Sequence, residues 1–159
     1  MKRAIFFFSL LLIAVFAWTF TAFLVTPFFE NRRKPAWIEV AGYRELAEEY
    51  PTKLSFQYIE QESFIRRNQL QEVWVIKHSV EKATVFSPVC PHLGCRYNWD
   101  ELLREFVCPC HASIFTITGA VVSGPAPRPL DTLPYEIKEG NLHIQWEEFK
   151  PGLVEKVSI

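Results

Sequence analysis

No charged side chain occurs between Ala4 and Phe29, and nothing else in the 159-residue chain resembles that stretch. The absence excludes a solvated surface helix: at about 1.5 Å per residue, Ala4 to Thr26 alone would cross a hydrocarbon core of ~30 Å. Pro27 then makes a natural helix stop. Secretory apolar regions run only about 7 to 15 residues before a small-residue cleavage site, and neither Thr21-Ala22-Phe23 nor Thr26-Pro27-Phe28 supplies such a site. Residues 1–29 are therefore expected to form one permanent anchor, making the protein single-pass in the cell membrane. Charge does not orient it, because Lys2 and Arg3 on one side balance Arg32, Arg33 and Lys34 on the other.

Basic stripes are also lacking. Beyond Lys34 the chain holds 12 basic and 17 acidic residues, about −5 in net charge, which excludes a nucleic-acid footprint and permits a cationic protein partner. There is no internal repeat and no low-complexity tract. With 49% apolar and 15% aromatic residues, the chain has material for a proper core rather than for disorder.

After the anchor, residues 30–36 are polar and charged and contain Pro35, which disfavours helix before it, so they read as a hinge or linker. Tyr43 to Tyr50 has the composition for one or two helical turns. Elsewhere β-branched and aromatic residues alternate or cluster, and strands are predicted at Leu54–Tyr58, Val73–Ile76, Ala83–Phe86 and Leu142–Trp146. A hairpin is expected where Tyr135–Ile137 turns through Lys138-Glu139-Gly140-Asn141 into Leu142. The predicted class is mostly β with short strands in a head of residues 37–159.

Cysteine is missing from the first 89 and the last 49 residues; all four fall between Cys90 and Cys110, with His92 among them and His111 directly after them. Such clustering needs a chemical reason. The two boxes are Cys90-Pro91-His92-Leu93-Gly94-Cys95 and Cys108-Pro109-Cys110-His111-Ala112-Ser113. Each offers a metal one thiolate and one imidazole, with one cysteine besides. A structural zinc site is the alternative from another class, giving a membrane-tethered module without redox function, although mixing Cys and His inside each box is unlike common zinc spacings. His78 and His143 read as surface-facing strand residues without a role, and the tryptophans as core or interface.

The two boxes, with the following loop Gly124-Pro125-Ala126-Pro127-Arg128-Pro129, resemble the Rieske family. That resemblance implies an antiparallel β head with a small cluster-binding subdomain at about 86–130, behind one N-terminal transmembrane helix. It implies one [2Fe–2S] cluster held by Cys90 and Cys108 on one iron and His92 and His111 on the other. It also implies a Cys95–Cys110 disulfide, cover by Leu93, Gly94, Gly124 and Pro125, and tuning by a hydroxyl at Ser113. Two positions depart from the family pattern: Phe115 stands where high-potential relatives have a tyrosine, and Ala112 where glycine is usual. Gly94 and Gly124 are either turn glycines or points of close backbone approach.

Replacing two thiolates by neutral imidazoles leaves an oxidised cluster at charge 0 instead of −2, so adding an electron costs less. The Rieske range of about −150 to +300 mV, against roughly −400 mV for plant-type ferredoxins, suits oxidation of a quinol. The function implied is the electron-transfer subunit of a bacterial cytochrome bc-type or b6f-type quinol:cytochrome c oxidoreductase, not catalytic alone. Its partners would be quinol, probed first by His111 with His92 beside it, a cytochrome b subunit and a c-type cytochrome. The missing tyrosine hydroxyl at Phe115 points to a lower potential and to menaquinol. A persistent disulfide suits an oxidising compartment, hence an extracytoplasmic head. Related alternatives are a soluble Rieske ferredoxin, an oxygenase domain, and the small subunit of an arsenite-oxidase-like enzyme.

Overall fold

The computed structural model describes residues 2–25, 36–62 and 65–159, the side chains at 2–6, 9, 60–62 and 65 apart. The chain divides into two units, Met1–Lys34 and Pro35–Ile159. In the first, helix α1 spans Lys2–Val25, 24 residues, with no acidic residue in its first turn and no basic residue in its last. Among the described residues no helix is long and apolar enough to cross a membrane. Most of the predicted hinge at 30–36, and the end of the predicted anchor, lie outside the described residues.

Among the described residues, the second unit is built from ten strands in three antiparallel sheets. Strand β1 (Trp37–Gly42) pairs with β10 (Asn141–Gln145), and β10 with β9 (Tyr135–Lys138). In the second sheet β2 (Pro51–Glu62) pairs with β3 (Ile65–Lys77), which pairs with β4 (Ala83–Phe86). The third sheet is a meander of β5 (Asn98–Asp100), β6 (Glu105–Val107), β7 (Ile114–Phe115) and β8 (Val121–Ser123).

Strand β3 explains how the halves join. In an extended chain, successive side chains point to opposite faces. Val73 and Val75 accordingly enter a core with Tyr43, Phe56, Val85, Leu142 and Ile144, while Trp74 and Ile76 enter a second core with Phe86, Tyr97, Phe106 and Phe115. The run Val73–Ile76 is apolar throughout because both faces are covered. The second core also contains Cys90 and Cys108, so the cysteine boxes are folded onto the far side of the central sheet.

Expected and observed elements differ in instructive places. Only Tyr43–Glu45 of the predicted helical segment is helical, as one 3-10 turn, because the Tyr43 ring is buried and its hydroxyl shares its one proton between the carbonyls of Ser79 and Lys82, each 2.7 Å away. That tertiary bonding overrides local helix preference. Strands β2 and β3 run to 12 and 13 residues, well beyond the apolar cores Leu54–Tyr58 and Val73–Ile76, since a hairpin ladder continues through polar residues as far as Glu62↔Ile65. His143 is mostly buried rather than surface-facing: Nε2 lies 3.5 Å from Glu39, and Nδ1 is enclosed without a partner.

Candidate metal centre

Two short loops leave the central and third sheets and turn back in the same way. In the first, Cys90 N–H donates to Cys95 O (2.8 Å) and Gly94 N–H to Cys90 O (3.0 Å). In the second, Cys108 N–H donates to Ser113 O (2.9 Å) and Ala112 N–H to Cys108 O (3.1 Å). Both reversals place the fifth residue in the left-handed region, Gly94 at φ +82° and Ala112 at φ +53°. Alanine there costs roughly 1 kcal/mol relative to the ordinary backbone, so Ala112 carries strain that Gly94 does not.

The matched turns set the four donors in two pairs. Cys90 and Cys108 are almost fully buried free thiols within hydrogen-bond reach of one another, and the His92 backbone N–H is aimed at Cys90. Burial pushes the Cys90 thiol up to about 11. His92 is half-buried and His111 exposed, their rings perpendicular with centroids 4.8 Å apart. Among the described residues no three His, Cys, Asp or Glu side chains converge as ligands of a single ion. A pair of thiols with a pair of imidazoles is the donor set that the two irons of a Rieske-type centre would use.

Ser113 supports the same fit. Its Oγ is wholly enclosed beside the Cys90 thiol, whose ionised form it favours, yet has no partner of normal hydrogen-bond geometry. An orphaned buried hydroxyl is costly unless an acceptor fills the space in front of it. A sulfide is such an acceptor.

The loops are tied in two ways. Cys95 and Cys110 form a disulfide across a sequence separation of 15 residues, a closure worth about 3 kcal/mol on chain entropy. The third loop then presses on the second: a Cβ at Gly124 (φ +92°) would stand 2.5 Å from Ser113 Cα and 2.7 Å from Ala112 O. Gly124 is therefore a close-approach glycine. Gly94 is only a turn glycine, since a Cβ there would meet nothing nearer than 3.8 Å. Leu93, Gly124 and Pro125 are exposed around the histidines' loops. Phe115 is fully buried, its ring 6.2 Å from Tyr97, and belongs to the same core as Cys108.

The Rieske [2Fe-2S] domain family matches residues 36–134. The chain belongs to that family. A Rieske domain implies a [2Fe–2S] cluster, and the paired donors and the orphaned Ser113 hydroxyl fit one. Among curated relatives, the menaquinol:cytochrome c reductase iron-sulfur subunit of Bacillus subtilis is 29% identical over 126 residues, 77% of this chain and 74% of the relative. The subunit of the same name from Geobacillus thermodenitrificans is 32% identical, covering 67% of this chain and 65% of the relative. The cytochrome b6-f complex iron-sulfur subunit of Chlorobaculum tepidum is 38% identical over 71 residues, covering 45% and 39%.

Sequence reasoning passed over three residues of this Rieske centre. Tyr97, fully buried, donates from its hydroxyl to Ser87 O at 2.6 Å and so holds the strand leading into the first loop. Arg128 and Asp131, both buried, form a paired salt bridge behind the loops. The available signal was an Arg inside the proline-rich loop with an Asp three residues on.

The two αL turns and the close approach generate a contrast in sign. Gly124→Ala should destabilise the head by roughly 1–3 kcal/mol, since an inserted methyl must displace backbone. Ala112→Gly should relieve strain and stabilise it by roughly 0.5–1 kcal/mol. Denaturant unfolding of the two variants against wild type checks both signs.

Proposed function

We propose that this chain is the electron-transfer subunit of a quinol:cytochrome c oxidoreductase, with Cys90, Cys108, His92 and His111 holding the cluster and menaquinol as the donor. The observation that carries it is the division of donors into a buried thiol pair and a half-open imidazole pair. Two relatives matched over two thirds or more of this chain are both named as menaquinol:cytochrome c reductase subunits, which supports the substrate. Those names do not favour an arsenite-oxidase-like subunit, a soluble ferredoxin or a zinc module.

When bound, the group supplies a site for one electron at about −150 to +300 mV. The chain supplies the rest. Cys90 and Cys108 lie inside the second core and keep water from one side of the site. His111, being exposed, is the residue that a quinol in a cytochrome b pocket would meet, with His92 behind it. An imidazole bound through one ring nitrogen carries its proton on the other, and that outer nitrogen takes and releases the proton that accompanies the electron. Leu93, Gly94, Gly124 and Pro125 form the surrounding cover.

Ser113 Oγ is placed to donate to a sulfur of the group when it is bound, which would favour the reduced, more negative state. Phe115 offers no donor, which keeps the potential below that of relatives with a hydroxyl there and suits menaquinol.

The head is tethered by residues 1–29 and faces the extracytoplasmic side, with a hinge at 30–36 that lets it travel to a c-type cytochrome. Support for the tether is the uncharged run Ala4–Phe29, long enough at about 1.5 Å per residue to cross a hydrocarbon core. Support for the compartment is the Cys95–Cys110 disulfide, which a reducing cytosol would tend to open.

Two measurements bear on this reading. In native membranes, Cys90→Ser and His111→Ser should lose both iron and menaquinol-driven cytochrome c reduction, whereas Cys95→Ser should retain a labile cluster. Equal iron loss in all three would undo the division into ligands and bridge. By film voltammetry, Ser113→Ala should lower the midpoint by roughly 40–90 mV, one hydrogen bond of about 1–2 kcal/mol read through one electron. An unchanged midpoint would mean that the hydroxyl does not reach the group.

A further inference from the structure

The last 25 residues lie beyond the family match, which ends at 134. Their end nevertheless returns to the first loop: Gly152 N–H donates to Pro91 O at 2.8 Å, next to His92. Gly152 has φ +79°, and a Cβ built on it would lie 3.6 Å from His92 O. No side chain of this segment is needed for that contact.

Arg128 is what fixes the segment. Its Nε and Nη2 donate to Asp131 Oδ1 (2.9 Å) and Oδ2 (2.7 Å), a forked pair in which both residues are about 95% enclosed. Two further donors go to backbone carbonyls on either side of Gly152: Nη1 to Leu153 O (2.6 Å) and Nη2 to Lys150 O (3.1 Å). Asp131 O in turn accepts from Ser87 N–H at 2.8 Å, three residues before Cys90. A planar guanidinium with five donors can hold a carboxylate and two carbonyls at once; an ammonium cannot match that fork.

We propose that Arg128 is a positioning residue for His92, holding segment 150–153 as a latch on the first loop while its partner Asp131 fixes the strand that enters that loop. The assignment of His92 as an iron ligand comes from the function proposed above; the latch is a property of the chain itself. The disulfide ties both loops to each other, and the close approach of Gly124 holds the second loop independently of the latch. Loosening the latch should therefore free one loop and not the other.

The test uses the full chain purified in detergent, and reads amide hydrogen exchange by segment together with the rate of iron release to a chelator. Arg128→Met combined with Asp131→Leu removes the ion pair without stranding a buried charge. It should raise exchange at 91–95 and 150–154 about tenfold and speed iron release about tenfold, with 108–113 unchanged. Arg128→Lys should fall between this variant and wild type. Gly152→Ala strains the latch from the other end without touching the core, and should give the same pattern at a thermal midpoint near wild type; it decides the matter if the double variant does not fold. Exchange that rises equally in both loops, or not at all at 91–95, would overturn the proposal. Exchange is read whether or not iron is bound, so a chain that bound no iron would count against the ligand assignment and leave the latch to the exchange result alone.

Discussion

Two loops that share no ladder of backbone hydrogen bonds have to keep a thiol pair and an imidazole pair facing one another. Everything else in the head answers to that constraint. Each loop is closed on itself by the same two backbone bonds, which fix where its donors emerge. Closure within a loop does not fix the distance between loops; the Cys95–Cys110 disulfide and the close approach of Gly124 do. The geometry explains the unusual burial of two free thiols, since a buried Cys90 resists ionisation until a metal takes the place of its proton.

The rigidity of the loops is borrowed from the central sheet. Strands β3 and β4 present Val73, Val75 and Val85 to one core and Trp74, Ile76 and Phe86 to the other, so a single wall serves both halves. Three aromatic rings, Phe106 with Tyr97 and Phe86, meet edge to face at 5.3 and 6.0 Å centroid distance under the loops. Arg128 and Asp131 close the remaining side, where the proline-rich loop, the entry to the first box and the C-terminal segment come together.

Candidate donors could be named from the sequence because ligand chemistry is local, and the structure brings the C-x-H and C-x-x-H boxes together as a buried thiol pair and a pair of facing imidazoles. Strand β4 was legible because its boundaries coincide with a change in polarity at both ends. Strand β1 and the polar ends of β2 and β3 were not, since hydrogen-bonded pairing with a distant strand leaves no periodic signature of its own. The short third sheet was hidden for a similar reason: strands of two or three residues are made by the loops they connect. The two glycines looked alike in sequence, and only the surroundings separate the turn at Gly94 from the contact at Gly124. Arg128 was illegible in its role because the acceptors it finds at Lys150 and Leu153 are backbone carbonyls, which any residue supplies.

The account stands on two imidazoles and two thiolates sharing one binuclear centre between these loops. Electron–nuclear double resonance on the reduced full chain, labelled with nitrogen-15 histidine, tests that most directly. Two strongly coupled histidine nitrogens should be seen, one from His92 and one from His111, with none from His78 or His143. A reduced protein with no histidine coupling, or a chain carrying zinc and no paramagnetic centre, would contradict it.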